Sequence, residues 1–105
     1  MQALSKTAAI RESANVISIG ISGTSWQVYG PYKFTNPSGP STTINADSYT
    51  KARRIATQWR AKVALVLMGV WSDDVMFAVE DHDHHYGGGT LADYITAGLK
   101  AAGRA

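Results

Sequence analysis

The stretch Val63 to Trp71, which reads VALVLMGVW, decides which fold this chain adopts. Its nine residues are uncharged and rich in Val and Leu, with Lys62 before them and the polar run Ser72-Asp73-Asp74 after them. An apolar run of this length between polar flanks favours a central strand, buried on both faces, over a helix. We therefore predict a strand over Val63–Trp71 and a second strand over Val75–Glu80, joined to it by a tight turn.

An amphipathic helix is predicted directly before this apolar run. Apolar residues recur there at helical intervals, and they are Ala52, Ile55, Ala56, Trp59 and Val63. Because residues three and four apart lie on the same face of a helix, this spacing gives one apolar stripe over residues 48–61. Asp47 is typical of the residue that caps such a helix at its N-terminus.

The N-terminal part of the chain carries the alternating pattern of strands. Asn15–Ile21 places an isoleucine at every second position, and Trp26–Thr35 resumes an extended pattern after the turn residues 22–25. These segments predict a β-hairpin, in which Gly30-Pro31 interrupts the second strand because proline has no N–H to donate.

Three shorter segments surround this hairpin and the helix that follows it. A short helix over residues 3–13, capped by Ser5, precedes the hairpin. Asn36–Ser41 reads NPSGPS, which is typical of a loop. The pattern of Thr42–Ala46 leaves its structure open.

The C-terminal part begins with a polar stretch and ends with a helix. Asp81–Gly89 is polar and rich in glycine, which predicts a loop. Thr90 begins the last helix, and Asp93 three residues later is typical of a capping box. The predicted order is therefore hairpin and then helix, twice, after a short N-terminal helix. This order indicates the α+β class, as a two-layer sandwich of about four antiparallel strands with two main helices on one face.

Length and composition limit the classes of protein to be considered. A chain of 105 residues fits one domain, 1–105. It has no cysteine, which excludes disulfide scaffolds, Cys-ligated zinc and iron–sulfur sites, and thiolate nucleophiles. No apolar run approaches the roughly 20 residues that span a bilayer, and charged residues interrupt the N-terminal segment, unlike a secretory signal. We therefore expect a cytoplasmic protein with no membrane partner.

Patterns that carry catalysis are absent from the sequence. It holds no GxSxG motif, and its three histidines lie in one acidic stretch. The adjacent carboxylates Asp73 and Asp74 read as solvated turn residues. We therefore expect a protein that is not an enzyme and that has no cofactor.

Charge is divided unevenly along the chain. The residues up to Lys62 have a formal net charge of +6, whereas those from Val63 onward have −4. Five of the basic residues lie on the predicted main helix, and they are Lys51, Arg53, Arg54, Arg60 and Lys62. A helix face of this kind binds phosphates or an acidic protein surface, and the alternative is an ordinary solvated face.

The stretch Asp81-His82-Asp83-His84-His85 is the main cluster of polar side chains in the acidic half. Its three histidines, His82, His84 and His85, are ligand types that hold zinc, nickel or copper. A solvated loop and an interaction surface are the alternatives. For the interaction surface, the candidate residues are Glu80, Asp81, Asp83 and Tyr86.

The three glycines 87–89 before Thr90 resemble a phosphate-binding loop only in composition. Glycine-rich loops at helix N-termini can hold phosphate through backbone N–H groups. This one lacks the lysine of a P-loop and the spacing of a dinucleotide-binding motif. We therefore expect a plain connection between elements.

The stretch Thr42–Lys62, TTINADSYTKARRIATQWRAK, together with the apolar run after it, resembles small accessory proteins of bacteriophages and prophages of the anti-CRISPR type. These proteins share no common fold, so the resemblance transfers no site residues to this chain. It implies a mode of action, in which a small protein occupies a surface on a larger nucleoprotein or nuclease.

Three functions follow as hypotheses. The first is an inhibitor that binds a larger host nucleic-acid-targeting complex in the bacterial cytoplasm, with the acidic residues mimicking phosphates. Its basic helix would make a second contact or join two copies as a homodimer. The second hypothesis is a nucleic-acid-binding module that uses the basic helix. The third is a metal-binding protein that uses the histidines.

Overall fold

The computed structural model describes residues 2–87 and 89–104. Its elements, in chain order, are α1 (Lys6–Val16), β1 (Ser18–Ser22), β2 (Ser25–Pro31), β3 (Ser41–Ala46), α2 (Tyr49–Leu67), α3 (Asp73–Tyr86) and α4 (Leu91–Ala101). The strands form one antiparallel sheet in the order β1-β2-β3. The α+β class is therefore confirmed, but the described residues form three strands and four helices instead of about four strands and two main helices.

The predicted N-terminal helix and hairpin are both present. The hydroxyl of Ser5 caps α1 by accepting a hydrogen bond from the backbone N–H of Ala8 at 3.2 Å. The hairpin turns at Gly23, whose φ of +61° is a left-handed conformation that glycine adopts without strain. The segment that the sequence pattern left open is the third strand, which pairs with β2 along its whole length.

Helix α2 extends further in the C-terminal direction than its apolar stripe predicted. Its N-cap is Ser48, one residue after the predicted Asp47. Its last five residues, Val63–Leu67, belong to the stretch for which a central strand was predicted, so that prediction is wrong. The residues from Ala61 to Leu65 are buried all round because the sheet covers one side of α2 and other helices cover the rest. A helix buried on all sides has no polar face, and its sequence therefore resembles a buried strand.

The end of α2 is set by Gly69 within the same apolar run. Gly69 has a φ of +76°, its N–H donates to the carbonyl of Val66, and the N–H of Val70 donates to the carbonyl of Leu65. These two hydrogen bonds make a Schellman motif, which commonly places glycine directly after a helix. The glycine was the local signal for a helix end in this stretch.

Helix α3 replaces the predicted strand Val75–Glu80 and most of the predicted loop Asp81–Gly89. The hydroxyl of Ser72 caps it by accepting from the N–H of Val75, and Asp73 and Asp74 occupy its first turn. Carboxylates are favourable there because they face the positive end of the helix dipole. The three polar residues for which a tight turn was predicted therefore form a helix start, and residues 81–86 are helical.

Two apolar clusters lie on opposite sides of α2. The cluster toward the sheet consists of Ile17, Val28, Ala46, Ala52, Ala56, Trp59 and Val63. The cluster toward the other helices includes Leu65, Val75, Val79, Tyr94 and Ile95. Because α2 contributes to both clusters, only its N-terminal half leaves a charged face open to solvent.

Helix α4 follows the prediction made from its capping residues. Thr90 and Asp93 form a capping box, in which each side chain accepts a hydrogen bond from the other residue's backbone N–H. The buried residues of α4 are Tyr94, Ile95, Gly98 and Leu99. Among the described helices, none has the length and apolar character needed to cross a membrane.

Candidate functional site

Ion pairs within the chain occupy much of the basic surface of α2. The five predicted binding residues lie on two faces of this helix, and they are Lys51, Arg53, Arg54, Arg60 and Lys62. On one face, Nζ of Lys51 lies 3.2 Å from Oδ2 of Asp47. Nζ of Lys62 lies 3.0 Å from Oε1 of Glu80. Each of these charges is opposed by a carboxylate of the same chain and contributes little to attracting an anion.

Arg54 is paired more completely, with Asp83 of α3. Its Nε and one terminal nitrogen donate to the two carboxylate oxygens at 3.0 and 3.3 Å, and the same terminal nitrogen donates to the Asp83 carbonyl at 2.8 Å. The hydroxyl of Tyr94, on α4, donates to the same carboxylate at 2.5 Å. Asp83 thus connects three helices through charge-assisted hydrogen bonds.

The environment of Asp83 favours its ionised form. Burial alone raises the pKa of this carboxyl, but the hydrogen bonds from Arg54 and Tyr94 outweigh burial and hold the pKa below the usual value. The reciprocal hydrogen bond and charge of Asp83 raise the pKa of Arg54. Both groups are therefore charged at neutral pH, and the pair stabilises the contact between α2 and α3.

The four residues predicted as an acidic partner surface are divided by the helical structure of α3. Glu80 and Asp83 face α2 and form the ion pairs described above. Asp81 is exposed and lies 3.2 Å from Nε2 of His85, one turn later. Tyr86 is also exposed. The predicted loop is therefore part of a helix, and two of its four candidate residues form ion pairs with α2.

The three histidines of α3 do not converge on one point. His82 packs between the rings of Tyr86 and Tyr94, with ring centroids 5.0 and 4.9 Å away. His84 and His85 are exposed. Within residues 2–87 and 89–104, no group of three His, Asp or Glu side chains is arranged to hold a metal ion. The described residues therefore offer no three-ligand group for the metal hypothesis, which stays a prediction.

A cleft of about 630 Å³ opens between the N-terminal half of α2 and the segment that leads into α4. Its charged lining residues are Arg53, Arg54 and Arg60. The uncharged lining residues are Tyr49, Thr50, Thr57, Gly87, Gly89, Thr90 and Leu91. The charge of Arg54 is opposed by Asp83, so the net positive charge of this cleft comes from Arg53 and Arg60. We call it the arginine cleft.

Arg53 and Arg60 supply the charge in this cleft that no carboxylate opposes. Neither forms an ion pair with any residue that the structure describes. Arg53 is exposed. Arg60 donates from a terminal nitrogen to the carbonyl of Ile17 at 3.3 Å, and its buried Nε has no acceptor among residues 2–87 and 89–104. A neutral carbonyl orients a guanidinium without cancelling its charge, so Arg60 is a fixed cation at the edge of the cleft.

The start of α4 adds little positive potential to the cleft. The carboxylate of Asp93 accepts the backbone N–H of Thr90, and this hydrogen bond lowers the pKa of Asp93. The negative charge of Asp93 thus offsets the positive end of the α4 dipole. Gly88 of the predicted glycine connection lies outside the described residues, and Gly87 packs against the guanidinium of Arg54. The arginines of α2 are therefore the main source of positive potential.

Tyr49, Thr50 and Thr57 of α2 line the cleft but were not among the predicted site residues, although the sequence pattern contains them. Tyr49, Arg53, Thr57 and Arg60 follow one another at intervals of four, four and three residues. This is the spacing of a single helix face. Thr50 lies beside them and also lines the cleft. This helix face, on which arginines alternate with hydroxyl-bearing residues, was the signal in the sequence that could have identified the cleft.

A smaller depression of about 400 Å³ lies on the other side of α2, next to the end of β3. Its charged lining residues are Asp47 and Lys51, which form an ion pair with each other. The positive charge near this depression is therefore opposed, which distinguishes it from the arginine cleft.

Comparisons with known protein families, curated proteins and solved structures find no match for this chain. The resemblance to small phage accessory proteins therefore stays a prediction.

Proposed function

We propose that this chain is a binding module for nucleic acid, without catalytic activity, and that the arginine cleft receives the phosphates. The observation that carries the proposal is that Arg53 and Arg60, whose charges no described carboxylate opposes, line the same cleft. Guanidinium groups bind phosphate oxygens through paired N–H donors, and these contacts dominate affinity for nucleic acids.

The pairing of the other charges supports this assignment. Lys51, Arg54 and Lys62 have carboxylate partners, so the positive field of α2 is concentrated at Arg53 and Arg60. The exposed acidic residues of α3 do not line the cleft. A phosphate that approaches α2 therefore meets two unopposed cations on one face, with the hydroxyl of Thr50 as an additional donor.

Fluorescence anisotropy with a labelled oligonucleotide tests the proposal. Affinity should fall steeply between about 50 and 200 mM salt, because each phosphate contact releases a counterion. Arg53→Gln and Arg60→Gln should each weaken binding and each reduce the slope of log K against log salt by roughly 0.7 to 0.9. The matched control is Lys51→Gln, which removes an equal charge from the same helix outside the cleft and should leave the slope nearly unchanged.

Two results would contradict the proposal. One is the absence of measurable binding at low salt. The other is equal binding by the wild type and by a folded Arg53→Gln/Arg60→Gln double variant. If the Lys51→Gln control weakens binding as much as Arg53→Gln, the attraction is a property of net charge and not of the cleft.

A second candidate function is the phage-type inhibitor that binds a larger host complex in the bacterial cytoplasm. The observation that favours it is the outer face of α3, where Phe77 is exposed beside Asp73, Asp81 and His84. An exposed aromatic ring among carboxylates suits a basic protein channel, because it provides apolar contact within complementary charge. We propose this function with Asp81 as the phosphate mimic, since Glu80 and Asp83 pair with basic residues of α2, whereas Asp81 is exposed and contacts the exposed His85 of its own helix.

Cleavage by a purified nucleic-acid-targeting nuclease complex measures this second function. Phe77→Ser combined with Asp81→Lys should abolish inhibition without unfolding the chain, because both side chains are exposed. Retained inhibition by this variant would exclude the outer face of α3. Loss of inhibition in Arg53→Gln instead would assign the contact to the cleft.

A further inference from the structure

Tyr49 places an aromatic ring at the edge of the arginine cleft. It is the first residue of α2, it is 49% exposed, and it lines the cleft together with Arg53 one turn later. An exposed tyrosine beside unopposed arginines combines a surface for stacking with groups that bind phosphate. This is the combination that proteins use to hold single-stranded nucleic acids.

The ring of Tyr49 is supported by the sheet. Trp26 of β2 contacts it with ring centroids 4.9 Å apart and an interplanar angle of 61°. At this angle the two rings are not stacked face to face, so Trp26 covers at most one face of Tyr49. The contact restrains the ring before any ligand binds, which reduces the ordering cost of stacking a base on it.

The spacing along α2 fits a chain of nucleotides. With a rise of about 1.5 Å per residue, Arg53 lies roughly 6 Å from Tyr49 along the helix axis, and Arg60 lies roughly 10 Å beyond Arg53. The two arginines are therefore far enough apart to contact different phosphates. A strand with one base stacked on Tyr49 and its phosphates at Arg53 and Arg60 would therefore run parallel to the axis of α2.

The size of the cleft favours unpaired nucleotides. Its volume of about 630 Å³ lies in the range of sites for single small ligands. In a duplex the faces of the bases are already covered by their neighbours, so a tyrosine ring has no base face to stack on. We infer that the cleft binds single-stranded nucleic acid, with one base stacked on Tyr49 and the adjoining phosphates held by Arg53 and Arg60. This inference rests on the proposed nucleic-acid binding and specifies its partner.

Four labelled or competing probes separate the sources of affinity, with the full chain used throughout. They are an oligothymidine of about twelve nucleotides, an abasic strand with the same number of phosphates, a duplex of equal length, and thymidine monophosphate as a competitor. The oligothymidine should bind on the order of 10- to 100-fold more tightly than the abasic strand, because stacking on an aromatic side chain adds to phosphate binding. It should also bind more tightly than the duplex.

Variants at position 49 test whether the preference for the oligothymidine over the abasic strand depends on the ring of Tyr49. Tyr49→Phe should keep the preference for the oligothymidine over the abasic strand, whereas Tyr49→Ala should lose it and still bind both strands through the arginines. Tyr32→Ala is the control, since Tyr32 is 67% exposed and does not line the cleft. Circular dichroism confirms that each variant is folded, and Tyr49→Phe preserves the contact area with Trp26.

Each result bears on the inference separately from the proposed function. Equal affinity for the abasic strand and the oligothymidine, or equal or higher affinity for the duplex, would overturn the inference and leave phosphate binding in place. Competition by thymidine monophosphate at the concentration at which the oligothymidine competes would identify a free nucleotide as the ligand and also overturn it. If no probe binds, the proposed function fails together with the inference.

Discussion

The guanidinium of Arg54 on α2 holds both carboxylate oxygens of Asp83 on α3 and donates as well to the Asp83 backbone carbonyl. This contact brings the basic first part of the chain against its acidic second part. The two parts are not separate charged surfaces, because α2 and α3 pair their charges where they meet. The charge left without a partner at Arg53 and Arg60 is what makes the cleft distinctive.

The Arg54–Asp83 contact should be detectable as a coupling free energy. The Asp83 side chain is only 21% exposed but that of Arg54 is 45% exposed, so we expect about 1 kcal/mol, the upper end for pairs near the surface. Asp83→Asn should cost more than Arg54→Gln, because it also removes the charged acceptor of the buried Tyr94 hydroxyl. Urea denaturation of both single variants and the double variant measures the coupling. Additive effects would show that the pair contributes nothing.

Stability should fall in acid through the same carboxyl group. The hydrogen bonds from Arg54 and Tyr94 hold the pKa of Asp83 below its unfolded value, which is about 3.9. The folded state therefore binds fewer protons than the unfolded state. The stabilisation is complete above pH about 5 and is lost as the pH falls through the lowered pKa.

A pH series of urea midpoints for the wild type and Asp83→Asn checks this dependence. Below pH about 4, the free energy of unfolding should decrease more steeply for the wild type than for Asp83→Asn. Asp93 is also held at a lowered pKa by Thr90, and it contributes equally to both proteins. Parallel curves would show that Asp83 is not the group responsible.

The elements at both ends of the chain and the N-terminal part of α2 were predictable from local signals, whereas the structure of residues 63–86 was not. The isoleucine alternation identified the hairpin, and Ser5 and Thr90 identified two helix starts. The stretch Val63–Trp71 was misread because α2 is covered on all sides there, which removes the polar face that marks a helix. Only Gly69 indicated the helix end, through the left-handed conformation that it adopts after Leu67.

The candidate site was predictable only in part for the same reason. Assigning residues 81–86 to a loop placed Asp83 away from α2, so its pairing with Arg54 could not be foreseen. The sequence placed Arg53 and Arg60 among the basic residues of the predicted main helix, but it did not distinguish them from the basic residues that have carboxylate partners. That distinction depends on which carboxylates the helices bring together.

Close packing of α4 on α2 depends on the absence of a side chain at Gly98. A Cβ there would lie 2.5 Å from Cδ1 of Leu65 and 3.3 Å from Cγ1 of Val75, and both of these residues are fully buried. Helix propensity alone would make Gly98→Ala stabilising by about 1 kcal/mol. We expect the clash to reverse this and lower the free energy of unfolding by about 1 to 3 kcal/mol.

A Leu65→Val background provides the control for Gly98→Ala, since valine lacks the δ carbons that approach the new methyl group. In that background the substitution should cost less than in the wild type, as measured by urea denaturation. The close approach is refuted if Gly98→Ala stabilises the wild type, or if its cost is the same in both backgrounds.

Lys62 and Glu80 should respond unequally to removal of their charges. The Lys62 side chain is 8% exposed and lies over the ring of Phe34, 5.0 Å from its centroid, whereas Glu80 is 45% exposed. Glu80→Gln leaves a desolvated ammonium without its counter-charge and should cost about 1 to 2 kcal/mol, below the 3 to 5 of fully buried pairs. Lys62→Met removes the desolvated charge and leaves a carboxylate that water can reach. It should therefore change stability by less than about 1 kcal/mol. Thermal and urea denaturation show which variant loses more stability. A larger loss of stability for Lys62→Met than for Glu80→Gln would show that the Lys62 ammonium is well solvated.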